Sequence, residues 1–195
     1  MHKMHFSFKG NRQYIHGTDI FIFLENLIEG KIKLFDLRII KKIKRQPNIK
    51  IYNYIKNNKN QKNKANVICR IVDNKDRIIL FNESKKNISD RYSFDENILK
   101  KNFYLKGNIA NCSFESSLHS IEILVALTKY WHQKKIKLGN WVFVRLKLNK
   151  KFKNFKIKNL KIKNINNINN KRTISEVFQN KKNIGKIYFI LNDKN

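Results

Sequence analysis

One pattern of residues occurs twice in this chain, at positions about a hundred residues apart. The first copy begins with Phe8-Lys9-Gly10-Asn11, continues into an apolar segment at 17–27 and ends in strand-like residues at 78–81. The second begins with Leu105-Lys106-Gly107-Asn108 and continues through matching segments at 120–130 and 187–190. Because this period is too long for a solenoid repeat, the pattern predicts two copies of one small α+β unit packed as a pseudo-dimer. We therefore place the units at 1–84 and 104–195, joined by a connector at 85–103.

The two cysteines and the absence of a long apolar run limit the class of protein. Cys69 and Cys112 have neither metal-ligand spacing nor a catalytic signature, which favours core positions in a reducing compartment. No run approaches the ~20 apolar residues of a membrane span, and residues 1–5 lack the apolar stretch of a signal peptide. The sequence predicts a soluble cytoplasmic protein with no membrane partner.

The formal net charge of +29 would ordinarily indicate a nucleic-acid partner. Of the 43 basic residues, however, only eight are arginines, and asparagine and isoleucine are also abundant. This composition is typical of A+T-rich coding sequence, whereas readers of phosphates and bases tend to keep arginine for its bidentate geometry. At this stage nucleic acid is a partner that the charge permits but does not favour.

The first copy is predicted to contain a buried helix followed by antiparallel strands. A polar loop at 10–16 precedes the helix, Thr18 or Asp19 caps it, and the residues after the cap are almost all apolar. Gly30 ends the helix. Period-two alternation predicts the following strands, at 31–40, 48–55, 65–72 and 77–81, with a loop at 57–64.

The second copy repeats this order. A helix is predicted at 116–133, followed by a strand at 141–148. Residues 155–165 alternate lysine with apolar residues, which predicts a strand with one wet face, and 164–170 is predicted as a low-complexity loop. Strands at 173–179 and 185–191 complete this sheet.

A central apolar helix wrapped by an antiparallel sheet, twice in one chain, is the double hotdog arrangement. Phe8-Lys9-Gly10-Asn11, followed by Tyr14-Ile15-His16-Gly17, resembles the opening of the hydroxyacyl-thioester dehydratases and related hotdog proteins. The resemblance covers about twenty residues and has a weaker echo in the second copy. It departs from the family at Asn11, where the family has histidine, and at Ile22, where the dehydratase helix carries its acidic residue. It therefore implies the fold more than it implies dehydration chemistry.

The resemblance implies a site at the N-terminus of each central helix, where unpaired amides can polarise a thioester carbonyl. The expected catalytic residues are His16 and Asp19 in the first copy and His119 and Glu122 in the second, each pair supplying an acid and a base. A structural alternative stays open for both sets. In it, Asp19 or Thr18 caps its helix, His16 is an exposed loop residue, and His119 and Glu122 form a solvated pair.

The expected substrate-binding residues surround these helix ends. Gly17 lets a carbonyl approach the backbone, and Arg91 in the connector pairs the phosphate of a pantetheine or nucleotide arm, or else ties the connector to one sheet. The full set is Asn11, Arg12, Tyr14, Gly17, Arg91 and Tyr92.

The sequence thus predicts a protein that binds or processes an acyl thioester carried by acyl carrier protein or coenzyme A. The expected chemistry is that of a dehydratase-like lyase, thioesterase or acyltransferase of fatty acid or polyketide metabolism, although binding without catalysis stays open. No cofactor or metal is expected, and a homodimer is compatible with the sequence. The alternative is a non-enzymatic RNA-binding or ribosome-associated protein, in which aromatic residues on a lysine-rich sheet face stack on bases.

Overall fold

Antiparallel strands dominate the part of the chain that the structure describes, with 46% of the described residues in strands and 17% in helices. The computed structural model describes residues 5–54, 64–113, 118–137, 139–151 and 159–192. The chain divides into two compact units, Met1–Asp95 and Glu96–Asn195, here called unit 1 and unit 2.

Unit 1 contains a helix and a four-stranded antiparallel sheet, with a pair of very short parallel strands beside them. The sheet order is β3-β5-β4-β2, and β1 pairs with β6. In chain order the elements are β1 (Phe8–Lys9), α1 (Gly17–Glu25), β2 (Leu34–Ile39), β3 (Pro47–Asn53), β4 (Val67–Val72), β5 (Asp76–Glu83) and β6 (Arg91–Tyr92).

Edge-to-face aromatic contacts attach α1 to this sheet. Phe21 on α1 packs against Phe35 on β2 with ring centroids 5.1 Å apart, and Phe23 packs against Phe81 on β5 at 5.8 Å. Phe6, before β1, contacts both Phe23 and Phe81. Aromatic pairs in this geometry contribute about 0.5–1.5 kcal/mol each beyond the burial of their area.

The chain after α1 is held by the turn between β4 and β5. Asp73 accepts a hydrogen bond from the backbone N–H of Glu29 at 2.7 Å, and Arg77 donates to the carbonyl oxygen of Leu27 at 2.9 Å. Arg77 also pairs with Asp73 at 2.7 Å. Because these groups bind the backbone just beyond Glu25, the helix ends there although apolar residues continue to Ile28.

Unit 2 contains a six-stranded antiparallel sheet in the order β9-β12-β11-β10-β8-β7. In chain order the elements are α2 (Asn97–Lys100), β7 (Phe103–Lys106), β8 (Ile109–Cys112), α3 (Ser120–Lys135), β9 (Asn140–Leu148), β10 (Leu160–Ile168), β11 (Arg172–Gln179) and β12 (Lys182–Asn192).

The two faces of the unit 2 sheet differ in composition. On the inner face, α3 covers the sheet: Tyr130 contacts Phe103 on β7, while His132 contacts Trp141 on β9 and Phe189 on β12. Inner-face residues are almost all buried, as the alternating burial of β11 shows. The opposite face, here called the outer face, is formed by the residues that alternate with the buried ones along each strand.

Left-handed residues form the turns of this sheet. Asn169 and Asn170 have φ of 50° and 53° between β10 and β11, and Asn180 and Lys181 have φ of 50° and 63° between β11 and β12. Asparagine tolerates this conformation better than most residues. At Gly185 on β12, with φ of 152°, an added Cβ would lie 2.0 Å from the carbonyl oxygen of Lys147. Glycine is therefore required where β12 approaches β9.

The expected double hotdog fold is wrong. A hotdog unit needs a long central apolar helix, but α1 has 9 residues and α3 has 16. The third helix of the described residues, α2, has 4. The helix expected over 17–27 ends at Glu25, because the contacts of Asp73 and Arg77 that end it come from residues far away in sequence.

Several expected boundaries also moved. β10 continues through Ile168, so most of the expected loop at 164–170 is a strand, because Asn166 and Asn167 pair with Ile174 and Thr173. Residues 85–103, expected as a connector, contain β6 and α2. The strands from 31, 48 and 155 begin at Leu34, Pro47 and Leu160. Most of the expected loop at 57–64 and residues 155–158 of the expected strand lie outside the described residues.

The expected duplication remains a prediction. Both units place a glycine with positive φ after a short strand, at Gly10 and Gly107, and both begin their main helix after a histidine. They differ in pairing, since β1 pairs in parallel with β6 while β7 pairs antiparallel with β8.

Candidate functional site

His16 is the N-cap of α1. Its backbone is extended, with φ −72° and ψ 142°, and its Nδ1 accepts a hydrogen bond from the N–H of Thr18. The same nitrogen lies 2.7 Å from the Thr18 hydroxyl oxygen. Nδ1 of His16 is therefore occupied by the first turn of its own helix. His16 is buried, so the expected alternative of an exposed loop residue is wrong.

A fully buried lysine lies beside this cap. Lys9 Nζ is 3.2 Å from the hydroxyl oxygen of Thr18 and 3.7 Å from Oδ1 of Asp19. It also lies 3.8 Å from the ring centroid of Phe94 and 5.7 Å from that of Tyr92. A carboxylate, a hydroxyl and two aromatic faces therefore replace the water that this ammonium loses on burial.

The short β1–β6 pair brings the expected residues of the 85–103 segment to the same place. Tyr92 donates from its hydroxyl to Asp19 Oδ1 at 2.7 Å. Arg91 donates to the carbonyl oxygens of Gly10 and Arg12. The structure thus gathers six of the expected residues: His16, Gly17, Asp19, Arg12, Arg91 and Tyr92. Arg91 thus binds the backbone of the loop after β1, whereas the structural alternative expected an ion pair between the connector and one of the sheets.

Asn11 and Tyr14 have other surroundings. Asn11 is exposed. Tyr14 is half-buried, with Lys42 Nζ 4.8 Å from its ring centroid. Lys9 was not among the expected site residues, because nothing distinguishes it in sequence from the many other lysines.

The second expected pair forms a capping box in unit 2. His119, with φ −67° and ψ 143°, caps α3 by accepting from the N–H of Ile121 at 3.3 Å. Glu122 accepts from the backbone N–H of His119 at 2.9 Å. Both side chains therefore satisfy the first turn of their own helix.

His132, near the end of α3, is a buried histidine that sequence reasoning did not select. Its ring stacks on Trp141 with centroids 4.1 Å apart, and its Nε2 lies 2.6 Å from the hydroxyl oxygen of Thr173. Desolvation in these surroundings lowers the pKa of His132 to about 3, against a small opposing effect of the Thr128 backbone. The imidazole is therefore neutral near pH 7.

The outer face of the unit 2 sheet carries basic and aromatic side chains on neighbouring strands. Lys161 Nζ on β10 lies 4.5 Å from the ring centroid of Phe178 on β11, and the Arg145 guanidinium on β9 lies 5.1 Å from that of Tyr188 on β12. Strand register places the basic residues of this face as Lys106, Arg145, Lys147, Lys161, Lys163, Arg172 and Lys186.

The strand register also fixes where the acidic charge of this face lies. Among its strand residues the acidic side chain is Glu176, which pairs with Lys163 on one side and Lys186 on the other. The outer face thus combines strong positive charge with three aromatic side chains, those of Tyr104, Phe178 and Tyr188.

Other reactive groups are absent or inert in the described part of the chain. Its His, Cys, Asp and Glu residues form no group of three that could hold a metal ion. Burial raises the pKa of Cys69 well above its ordinary value and that of Cys112 to about 12, so both thiols stay protonated. Within the described ranges, no helix is both long and apolar enough to cross a bilayer.

No protein-family model matches this chain, and a search of curated proteins also found no match.

Proposed function

We propose that this protein binds nucleic acid through the outer face of the unit 2 sheet. The observation that supports the proposal is the placement of Tyr104, Phe178 and Tyr188 among basic residues on one face of a six-stranded sheet. Aromatic rings offer a surface on which bases stack, and the cations beside them neutralise phosphates.

The arrangement of the basic and aromatic side chains supports this proposal, whereas the net charge alone does not. The inner face of the same sheet is mostly apolar and covered by α3, whereas seven basic strand residues lie on the opposite face. Codon bias toward adenine and thymine can raise the numbers of lysine, phenylalanine and tyrosine together, so the support lies in their placement and not in their number: two of the three rings of this face lie next to its cations.

The thioester function has weaker support. It was expected from a fold that the structure does not have. In addition, Nδ1 of His16 and of His119 accepts a helix-capping bond, so that nitrogen is not available as a base. We therefore do not adopt it as the proposed function.

The proposal is tested by titrating the intact chain into a fluorescently labelled single-stranded RNA at several salt concentrations. The variant Lys147→Gln/Lys163→Gln/Lys186→Gln removes three exposed lysines from the outer face. Each phosphate contact contributes about 0.7 to the slope of log K against log salt for a single strand. The triple variant should therefore bind more weakly and have a slope smaller by about 2.

The matched control is Lys31→Gln/Lys33→Gln/Lys85→Gln, which removes the same charge from three exposed positions in unit 1. It should retain the affinity and the slope of the unsubstituted protein. Equal losses in both triple variants would show that binding follows total charge and not the outer face, and would refute the proposal.

A further inference from the structure

The three aromatic residues of the outer face are evenly spaced. Tyr104, Asn111, Lys161 and Phe178 lie in register across β7, β8, β10 and β11, which puts Tyr104 and Phe178 about 14 Å apart. Tyr188 pairs with Ile174, four residues before Phe178 on the adjacent strand. That separation is also about 14 Å. Together the three rings define a bent track, here called the aromatic track.

Basic side chains follow the same track. Lys161 lies over the ring of Phe178 and Arg145 over the ring of Tyr188, so a base that stacks on either ring face must displace the cation, which then lies next to the neighbouring phosphate. Between these positions, Lys163, Lys186 and Lys147 lie in one row of the sheet. The phosphates of a nucleic acid that follows the three rings therefore meet a cation at Phe178, another at Tyr188, and the row of lysines between these two rings.

This geometry distinguishes between forms of nucleic acid. Bases in a duplex are stacked on one another at about 3.4 Å and offer no free face to a protein ring. Stacking on protein aromatic side chains requires unstacked bases, as in single strands. Rings about 14 Å apart suit an extended strand, with further nucleotides spanning each interval.

We infer that the ligand of this face is a single strand that stacks one base on each of Tyr104, Phe178 and Tyr188. The inference rests on the proposed function and specifies its ligand class. The bound segment should be on the order of six nucleotides, within the range covered by other single-strand-binding modules.

The first experiment varies the length and form of the ligand. Affinity of the intact chain is measured for single-stranded trimer, hexamer, nonamer and dodecamer in both RNA and DNA, and for a duplex dodecamer. Affinity should rise steeply from trimer to hexamer and then level off, and the duplex should bind at least tenfold more weakly. The comparison of RNA with DNA shows which sugar is preferred. Equal affinity for RNA and DNA would agree with recognition by stacking on the bases.

The second experiment removes each ring. Tyr104→Leu, Phe178→Leu and Tyr188→Leu should each lower the affinity for the nonamer about 5- to 100-fold, with the salt slope unchanged. Phe178 and Tyr188 are half-buried, so the melting temperatures of the variants Phe178→Leu and Tyr188→Leu must be compared with that of the unsubstituted protein. Tyr104 is 62% exposed, and its substitution tests the inference without risk to the core. Phe178→Tyr keeps an aromatic face and should retain affinity.

The outcomes separate the inference from the proposed function. Duplex binding as tight as single-strand binding, or unchanged affinity in Tyr104→Leu, would overturn the inference while leaving nucleic-acid binding intact. Failure of every oligonucleotide to bind at low salt would refute both.

Discussion

At the scale of single residues, the two most unusual groups are a lysine, Lys9, and a neutral histidine, His132, both of them buried. The amino group of Lys9 contacts the polar side chains of Thr18 and Asp19. The imidazole of His132 lies among aromatic rings and contacts the hydroxyl of Thr173. The histidine has a measurable consequence for stability, because its pKa differs between the folded and the unfolded chain.

We expect the free energy of unfolding to fall as pH falls below about 6.5, with part of the loss due to His132. Above that pH the residue is neutral in both states. Below it the unfolded chain binds a proton that the folded protein, with a pKa of about 3 at this residue, does not bind. The His132 contribution to the loss should be on the order of 2 kcal/mol at pH 5.

Urea denaturation at pH 7, 6 and 5 provides the measurement. The variant His132→Gln should be less stable at pH 7 but should lose less stability between pH 7 and 5. The control is Lys85→Gln, an exposed substitution in unit 1, whose loss of stability between pH 7 and 5 should match that of the unsubstituted protein. Parallel curves for all three proteins would contradict the assignment.

Residue-level chemistry was only partly predictable from sequence. His16 and Asp19 were selected because they stand just before and within a helix start, and the structure places them there. Lys9 and His132 were not selected, because their burial depends on Phe94 and Trp141, which are distant in sequence. No local pattern reports such contacts.

At the scale of elements, the beginning and end of α1 have different origins. Its beginning depends on a local residue, since His16 directly precedes the helix and caps it. Its end is tertiary, since Asp73 and Arg77 bind the backbone beyond it. Burial alone would raise the pKa of Asp73, but the N–H groups of Glu29 and Lys75, together with Arg77, lower it. The expected cap, Thr18 or Asp19, is wrong because both residues lie inside the helix and His16 accepts the capping bond. The end was expected at residue 27, two residues too late, because Asp73 and Arg77 are distant in sequence.

If His16 is a helix cap and not a catalytic base, the chemistry of its replacement should decide the effect on stability. His16→Asn supplies another side-chain acceptor and should cost little, whereas His16→Ala should cost about 1–2 kcal/mol. Urea denaturation measures both free energies of unfolding. His119→Asn and His119→Ala form a matched pair at the start of α3.

Two results would contradict this interpretation. One is equal destabilisation by alanine and asparagine at position 16, which would mean that the imidazole itself is required. The other is no loss of stability with alanine at either histidine.

At the scale of the whole molecule, the charge of +29 opposes folding as well as favouring anionic partners. The sequence predicted four of the six strands of unit 2; it did not predict β7 and β8, and the strand expected at 155–165 from its alternating lysines runs from Leu160 to Ile168. The sequence could not assign meaning to those lysines, since the same residue is abundant everywhere. Register supplied the missing information by placing Lys161 beside Phe178 and Arg145 beside Tyr188.

We expect moderate salt to stabilise the protein in the absence of nucleic acid. Raising sodium chloride from about 0.02 to 0.3 M shortens the screening length and should raise the free energy of unfolding by on the order of 1 kcal/mol. Urea denaturation at fixed pH measures the change.

A control variant reduces the self-repulsion directly. Lys31→Glu/Lys33→Glu/Lys85→Glu changes three exposed positions and should show a smaller gain from the same salt. Stability that falls with salt in the unsubstituted protein would mean that attractive ion pairs, such as Arg70 with Asp76, outweigh the repulsion.

The close approach at Gly185 fixes the spacing of side chains on the outer face. On the same strand pair, Lys186 faces Lys147 and Tyr188 faces Arg145. A methyl group at 185 would lie 2.0 Å from the Lys147 carbonyl oxygen and would force the two strands apart. Any residue other than glycine at this position would therefore change the distances between the charges and the ring on this part of the sheet.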